Sequence, residues 1–188
     1  MAKTKALILQ SINTSQIKFF MAVVSFAVFT AVAAQVRIPL PFTPVPITLQ
    51  TLVVVLAGFY LGHKGGSLSQ LVYLSLGALG APFFAGHGGA LSLIGPKAGY
   101  LWGFVLSSFF AGQFALRFAA KKNFILNWAG AFIASLPPLF LGTLWLKQSL
   151  GLSFEQAVFM GFLPFMVGDL VKTTIAAVAL TLKPKNFS

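Results

Sequence analysis

The chain of 188 residues has no cysteine and only two acidic side chains, Glu155 and Asp169. The lack of cysteine excludes disulfides, thiolate chemistry and cysteine-ligated zinc. With so few acids, and with His63 and His87 on opposite predicted sides, three or four convergent metal ligands cannot be assembled. Charge of either sign is scarce: 8% of residues are charged, where a soluble domain carries about 25%. Together with 57% hydrophobic residues and a mean hydropathy of +0.90, this excludes a soluble globular enzyme, a disordered chain and a coiled coil. Neither a G-x-x-x-x-G-K-[ST] phosphate loop nor a G-x-S-x-G nucleophile elbow occurs in the chain. We therefore expect no catalytic residue, no metal and no cofactor.

What is present is a series of long apolar runs broken by proline, glycine and charge. Six spans are predicted, at about 17 to 36, 47 to 62, 66 to 82, 98 to 118, 124 to 146 and 155 to 182. At roughly 20 residues per spanning helix these use ~120 residues, so residues 1 to 188 form a single polytopic transmembrane domain. The second and third runs meet at Gly62-His63-Lys64-Gly65-Gly66 and sit near the short limit, which fits tilted or partly re-entrant segments. Pro137-Pro138 is expected to kink the fifth span.

Thirteen Lys and Arg against the two acids give a formal charge of +11. The cations lie between apolar runs with no dense patch among exposed aromatics, so they point to lipid headgroups and orientation, not to nucleic acid. With both termini inside, the inner side collects Lys3, Lys5, Lys18, Lys64, Arg117, Lys121, Lys122, Lys183 and Lys185, and the outer side keeps Arg37, Lys97 and Lys147. This imbalance predicts cytoplasmic N- and C-termini in a cell membrane. Lys18, the apolar stretch 19 to 30 and Ala31-Val32-Ala33 also resemble a cleavable secretory signal. Cleavage there would leave five spans and spoil the charge count, so we read the run as the first helix.

Two segments on the predicted outer side break helical pattern. Pro39-Leu40-Pro41-Phe42-Thr43-Pro44-Val45-Pro46 forbids a regular helix and favours an extended, polyproline-like path. It reads either as a stiff connector or as a rigid loop over a cavity, with Thr43, Thr48 and Gln50 offering polar groups. The glycine-rich tract 77 to 89 permits close backbone approach, and Phe83 and Phe84 within it, beside Gly86, would suit a wall for a flat apolar ligand.

Asp169 and Lys172 lie inside the last predicted helix, where each charge costs about 2.5 to 3.5 kcal/mol on insertion scales. At i, i+3 they share one face and can neutralise each other. They are either a private ion pair or a couple that faces a cavity and bonds a polar ligand. Glu155 flanks the start of that helix after Ser153. On the first helix, Ala27 and Ala31, continued by Ala34, form a small-residue stripe that lets another helix approach, from within the chain or from a partner.

These residues resemble a known family, the biotin-specific substrate-binding (S) components of energy-coupling-factor (ECF) vitamin transporters, the BioY family. The resemblance rests on PLPFTPVPITLQT at 39 to 51, Tyr73-Leu74 with Gly77, Gly80, Pro82 and Phe84, Gly88-Gly89, Gly99-Tyr100-Leu101 and PFMVGDLVK at 164 to 172. It implies an all-α membrane protein of six helices that binds biotin from outside, as transported ligand, under a loop that follows the first helix. It places Asp169 and Lys172 at the biotin site, with Phe42, Phe83, Phe84 and Tyr100 as candidate apolar walls. Where the family usually reads Gly-Pro-Thr-Gly-Gly-Tyr, this chain has Gly95-Pro96-Lys97-Ala98-Gly99-Tyr100, so that Lys97 is set to meet the biotin carboxylate or to reach water. The implied partners are an ECF transmembrane coupling protein with two ATPases, docked through Ala27, Ala31 and Ala34. Solitary or homo-oligomeric uptake, or a channel for another small solute, are the alternatives.

Overall fold

The computed structural model describes residues 2–118 and 123–182, with side chains described from Thr14 onward. Lys121, Lys122, Lys183 and Lys185 lie outside the described residues, as do the side chains of Lys3 and Lys5. The fold consists of α1 (Ala2–Ala33), a hairpin of β1 (Arg37–Leu40) and β2 (Thr43–Thr48), α2 (Gln50–Ala78), α3 (Ala98–Phe118), α4 (Phe124–Leu150), α5 (Phe154–Gly161) and α6 (Leu163–Leu182). A 3-10 turn at Ala90–Leu93 precedes α3. Four stretches are long and apolar enough to cross a membrane: Thr14–Ala33, Ala98–Phe118, Phe124–Leu150 and Phe154–Leu182.

The second and third predicted runs form one helical hairpin within α2. Gly62 holds φ 73°, ψ 175°, a left-handed backbone that a side chain would disfavour, and there the chain turns back. On either side of the turn Gly58 meets Gly66, with a Cβ built on Gly66 falling 2.7 Å from the Gly58 Cα. Further from the turn, Gln50 Nε2 donates to Tyr73 Oη at 2.6 Å. At about 1.5 Å rise per residue each arm is shorter than a ~30 Å hydrocarbon core. The second and third runs thus form a tight hairpin of two short arms that pack on α3.

The last predicted span divides into α5 and α6. Ser153 and Gln156 form a reciprocal capping box at the start of α5, with Glu155 in the first turn as its position implied. α4 runs on through Pro137 and Pro138, and Gly103 of α3 lies so close that a Cβ there would fall 2.4 Å from the Pro138 Cα.

The proline-rich segment is extended as expected, but it is paired and not polyproline-like. Arg37 faces Thr48, Ile38 faces Ile47 and Leu40 faces Thr43, with a register irregularity at the intervening Pro39. Proline has no N–H for a ladder, and strand prolines are confined to edges and bulges. A second correction concerns α1. Ala27, Ala31 and Ala34 are 0%, 5% and 0% exposed, and the first two pack in one core cluster with Val54, Tyr73 and Leu74. The stripe seats α1 on α2 and is not offered to a docking partner.

Apart from the buried Lys172, the described cations sort to two ends. Lys18 adjoins Phe19, whose ring lies against Gly65 near Lys64, and Gly112, five residues before Arg117 on α3, abuts His63. At the other end are Arg37, Lys97 beside it, and Lys147 in the last turn of α4.

Candidate functional site

A cavity of about 380 Å³ lies at the end of the bundle that carries Arg37 and Lys97. This is within the size range of small-molecule sites, and its composition is typical of them: mostly apolar walls with few polar groups. Pro44, Val45 and Pro46 of β2 cover one side, and Phe84 and Ala85 of the glycine tract a second. Tyr100 and Phe104 of α3 and Phe165 of α6 supply the aromatic wall. The spacing explains the wall: 100 and 104 are one turn apart on α3, as are 165, 169 and 172 on α6, so each set shares a helix face.

Asp169 and Lys172 form the polar floor. Both are buried, 1% and 6% exposed, and Lys172 Nζ lies 2.5 Å from Asp169 Oδ1. Thr51, on the first turn of α2, joins them: its hydroxyl donates to Asp169 Oδ1 at 2.9 Å and accepts from Lys172 Nζ. Lys172 also donates to the Thr48 carbonyl at 3.2 Å. An ammonium has three N–H groups, and here Asp169, Thr51 and Thr48 take all three. Asp169 Oδ2, in contrast, is buried with no hydrogen bond among the described residues. A smaller crevice behind the pair, between Thr51, Ser135 and Ala176, has no room for a water molecule (≈ 0 Å³). Asp169 also lines the main cavity, which of the two is the one with room for a ligand.

The other predicted polar residues are engaged in holding the walls. Thr48 Oγ1 donates to Gln50 Oε1 at 3.0 Å, Gln50 Nε2 donates to Tyr73 Oη, and Tyr73 donates to the Phe83 carbonyl at 3.1 Å. This chain fastens the foot of the β-hairpin to the glycine tract. Tyr100 Oη donates to the Gly161 carbonyl at 2.7 Å, which fixes its ring over the cavity. At the rim, Arg37 donates to the Ala85 carbonyl and its guanidinium lies against Gly86. Lys97 lines the cavity mouth, and burial, then the nearby Arg37 charge, hold its ammonium below the usual lysine range.

Of the residues singled out from sequence, Asp169, Lys172, Lys97, Thr48, Gln50, Phe84 and Tyr100 border one cavity. Phe42, Thr43, Phe83 and Gly86 do not. Phe42 sits at the hairpin tip with its ring centroid 5.9 Å from that of Phe159. Thr43 is buried and accepts the Val45 N–H at 3.4 Å. Phe83 stacks on Tyr73 with ring centroids 6.2 Å apart, and Gly86 backs onto Arg37. Sequence reasoning missed Thr51, Phe104, Phe165 and His87, all of which line the cavity. Phe104 and Phe165 follow from helical spacing relative to Tyr100 and Asp169, Thr51 closes the segment 39 to 51 that carries the family resemblance, and His87 carried no signal beyond its place among glycines.

The sequence profile of the BioY family matches residues 4–187. The probable biotin transporter BioY of Pyrococcus horikoshii is 38% identical over 154 residues, covering 81% of this chain and 88% of that protein. The biotin transporter BioY of Thermotoga maritima is 37% identical over 159 residues, covering 83% and 92%. In three dimensions the chain is similar to the crystal structure of the S-component for biotin from an ECF-type ABC transporter. The TM-score is 0.79 at 28% identity, over 90% of this chain and 92% of the other. A match from one end of the chain to the other, in sequence and in fold, makes this multi-pass membrane protein a member of the BioY family.

Proposed function

We propose that the protein binds biotin in this cavity and serves its uptake across the cell membrane. The observation that carries this reading is the buried Asp169–Lys172 pair bordering a mostly apolar cavity, with one carboxylate oxygen of Asp169 left without a hydrogen bond among the described residues. A ureido ring offers N–H donors, and a charged acceptor in a low-dielectric site binds such a donor strongly and specifically. The pair Asp169–Lys172 is neutral overall and so suits a neutral head group. Lys97 at the mouth gives the carboxylate of the ligand a cation, and the rings of Tyr100, Phe104 and Phe165 flank the bicyclic body. Biotin has a neutral polar head, an apolar middle and an anionic tail, and these three parts match the three regions of the cavity.

In this reading the chain crosses the membrane six times, the two arms of α2 being its short crossings, and both termini are cytoplasmic. The charge count in the sequence supports it: three cations, Arg37, Lys97 and Lys147, fall on the cavity side, and nine on the side read from sequence as cytoplasmic. The cavity then faces outward, toward extracellular vitamin. We infer that release inward is driven by an ECF coupling protein and its ATPases; the structural neighbour is the S-component for biotin from an ECF-type ABC transporter, which supports partners of that class.

Calorimetric titration of detergent-purified protein with biotin, and with thiamine and riboflavin as controls, tests the proposal. Saturable, tight binding of biotin alone is expected. Equal or absent responses to all three would end it, and would favour a channel for another solute.

A further inference from the structure

Thr51 makes two of the contacts at the charged floor, yet it has no role in the reading so far. Its hydroxyl hydrogen goes to Asp169 Oδ1 and a lone pair receives an N–H of Lys172. The remaining N–H groups of the lysine point to Oδ1 itself and to the Thr48 carbonyl. All three of the lysine's acceptors hold it on the Oδ1 side, and Oδ2 is left without a partner. That asymmetry is not the intrinsic preference of an ammonium beside a carboxylate in low dielectric. Without other acceptors, the lysine would gain by closing on both oxygens, since an unpaired charged oxygen in an apolar interior is costly.

We propose that Thr51 is a positioning residue: its hydroxyl anchors Lys172 to one oxygen of Asp169 and so reserves the other for a hydrogen-bond donor on the ligand. This rests on the biotin reading of the cavity and refines it. Thr51 keeps one carboxylate oxygen available while the lysine stays paired with the other. Replacing the hydroxyl with a methyl frees one lysine N–H, which turns to Oδ2 and occupies the acceptor that the ureido N–H requires. Thr51→Val is close to isosteric, so the defect should appear in ligand affinity and not in packing.

The test is biotin titration of wild type, Thr51→Ser, Thr51→Val, Lys172→Met and the Lys172→Met/Thr51→Val double variant, each checked for monodisperse elution. Thr51→Ser should match wild type within about twofold, and Thr51→Val should lose roughly tenfold or more, the scale of one hydrogen bond to a charged group. With no ammonium left to restrain, Thr51→Val should cost nothing further in the Lys172→Met background. A full additional loss there would mean that Thr51 touches the ligand directly, and would overturn the proposal. So would wild-type affinity in Thr51→Val, or a tenfold loss in Thr51→Ser, which stands as a test even if the valine variant fails to fold. A wild type that takes up no biotin at all would instead overturn the functional reading, and this inference with it.

Discussion

The two charged regions of the cavity are built on opposite principles. At the floor, Asp169 and Lys172 are opposite in sign, buried and locked together through Thr51. At the mouth, Lys97 and Arg37 are alike in sign and close enough for the arginine to depress the proton affinity of the lysine. No acid answers them, because the chain's other acid, Glu155, flanks α5. A neutralised couple can bond a neutral polar group with geometric precision while adding little net field. An unneutralised pair does the reverse: it attracts an anion over a distance and tolerates loose geometry. A ligand with a neutral head and an anionic tail is bound by shape at one end and by charge at the other.

The largest effect should come from breaking the floor. Asp169→Asn leaves Lys172 as an uncompensated buried cation, which costs about 3 to 5 kcal/mol of stability. It should also abolish tight biotin binding. Adding Lys172→Met to Asp169→Asn should restore most of the melting temperature but not the tight binding, since the buried charge is gone and the acceptor that remains is a neutral amide oxygen, weaker than a carboxylate. If the double variant bound biotin tightly, the floor would be a structural ion pair only.

The mouth should behave differently. Lys97→Gln should leave the melting temperature nearly unchanged and weaken biotin several-fold, because an exposed or half-exposed charge contributes only about 1 kcal/mol or less. Biotin amide, whose tail is neutral, should bind wild type and Lys97→Gln alike. An equal loss for both ligands would show that Lys97 shapes the mouth and does not pair with a carboxylate.

How much of this was legible in the sequence follows from what each pattern encodes. Asp169 and Lys172 were legible because charge inside an apolar run has a local energetic cost that requires an explanation. The break at Gly62 was visible as glycine flanking a histidine and a lysine. The alanine stripe was read correctly as a close-packed surface, but spacing fixes only the face of a helix and not the neighbour that covers it, and here the neighbour is α2. The hairpin of β1 and β2 was missed because four prolines argue against a ladder. The paired positions Arg37, Ile38 and Leu40 opposite Thr48, Ile47 and Thr43 are all non-proline, so the prolines cost no paired N–H. Phe42 and Phe83 were assigned to the cavity by their aromatic type alone, and type does not set direction.

Titration sharpens the contrast further. The protonated form of Lys97 is the one that binds a carboxylate, and burial, then the nearby Arg37 charge, hold its folded value below that of an ordinary lysine. Biotin affinity should therefore be full below that lowered value and fall as pH rises through it, earlier than for an ordinary lysine. Stability runs the other way. Between the lowered folded value and the unfolded one, the unfolded chain holds more protons, so stability rises with pH across that window. Lys97→Arg keeps its charge throughout and should flatten the alkaline fall in affinity.

The smallest effect, and the most specific to the mouth, concerns Arg37. It bonds the Ala85 carbonyl and does not line the cavity, so it acts on the ligand only through its field, weakly on the anionic tail at a distance and more specifically on Lys97 beside it. Arg37→Gln removes that field: affinity at neutral pH should change by no more than about twofold, while the alkaline fall moves to higher pH. Arg37→Lys keeps the charge and should leave the fall where it is, although the lysine lacks the planar fork of the guanidinium. Titrations at a series of pH values separate the two variants, because a purely structural loss of the Ala85 contact would weaken both at every pH. A fall that stays fixed in Arg37→Gln would mean that burial alone sets the lysine, and that like charge at the mouth plays no part.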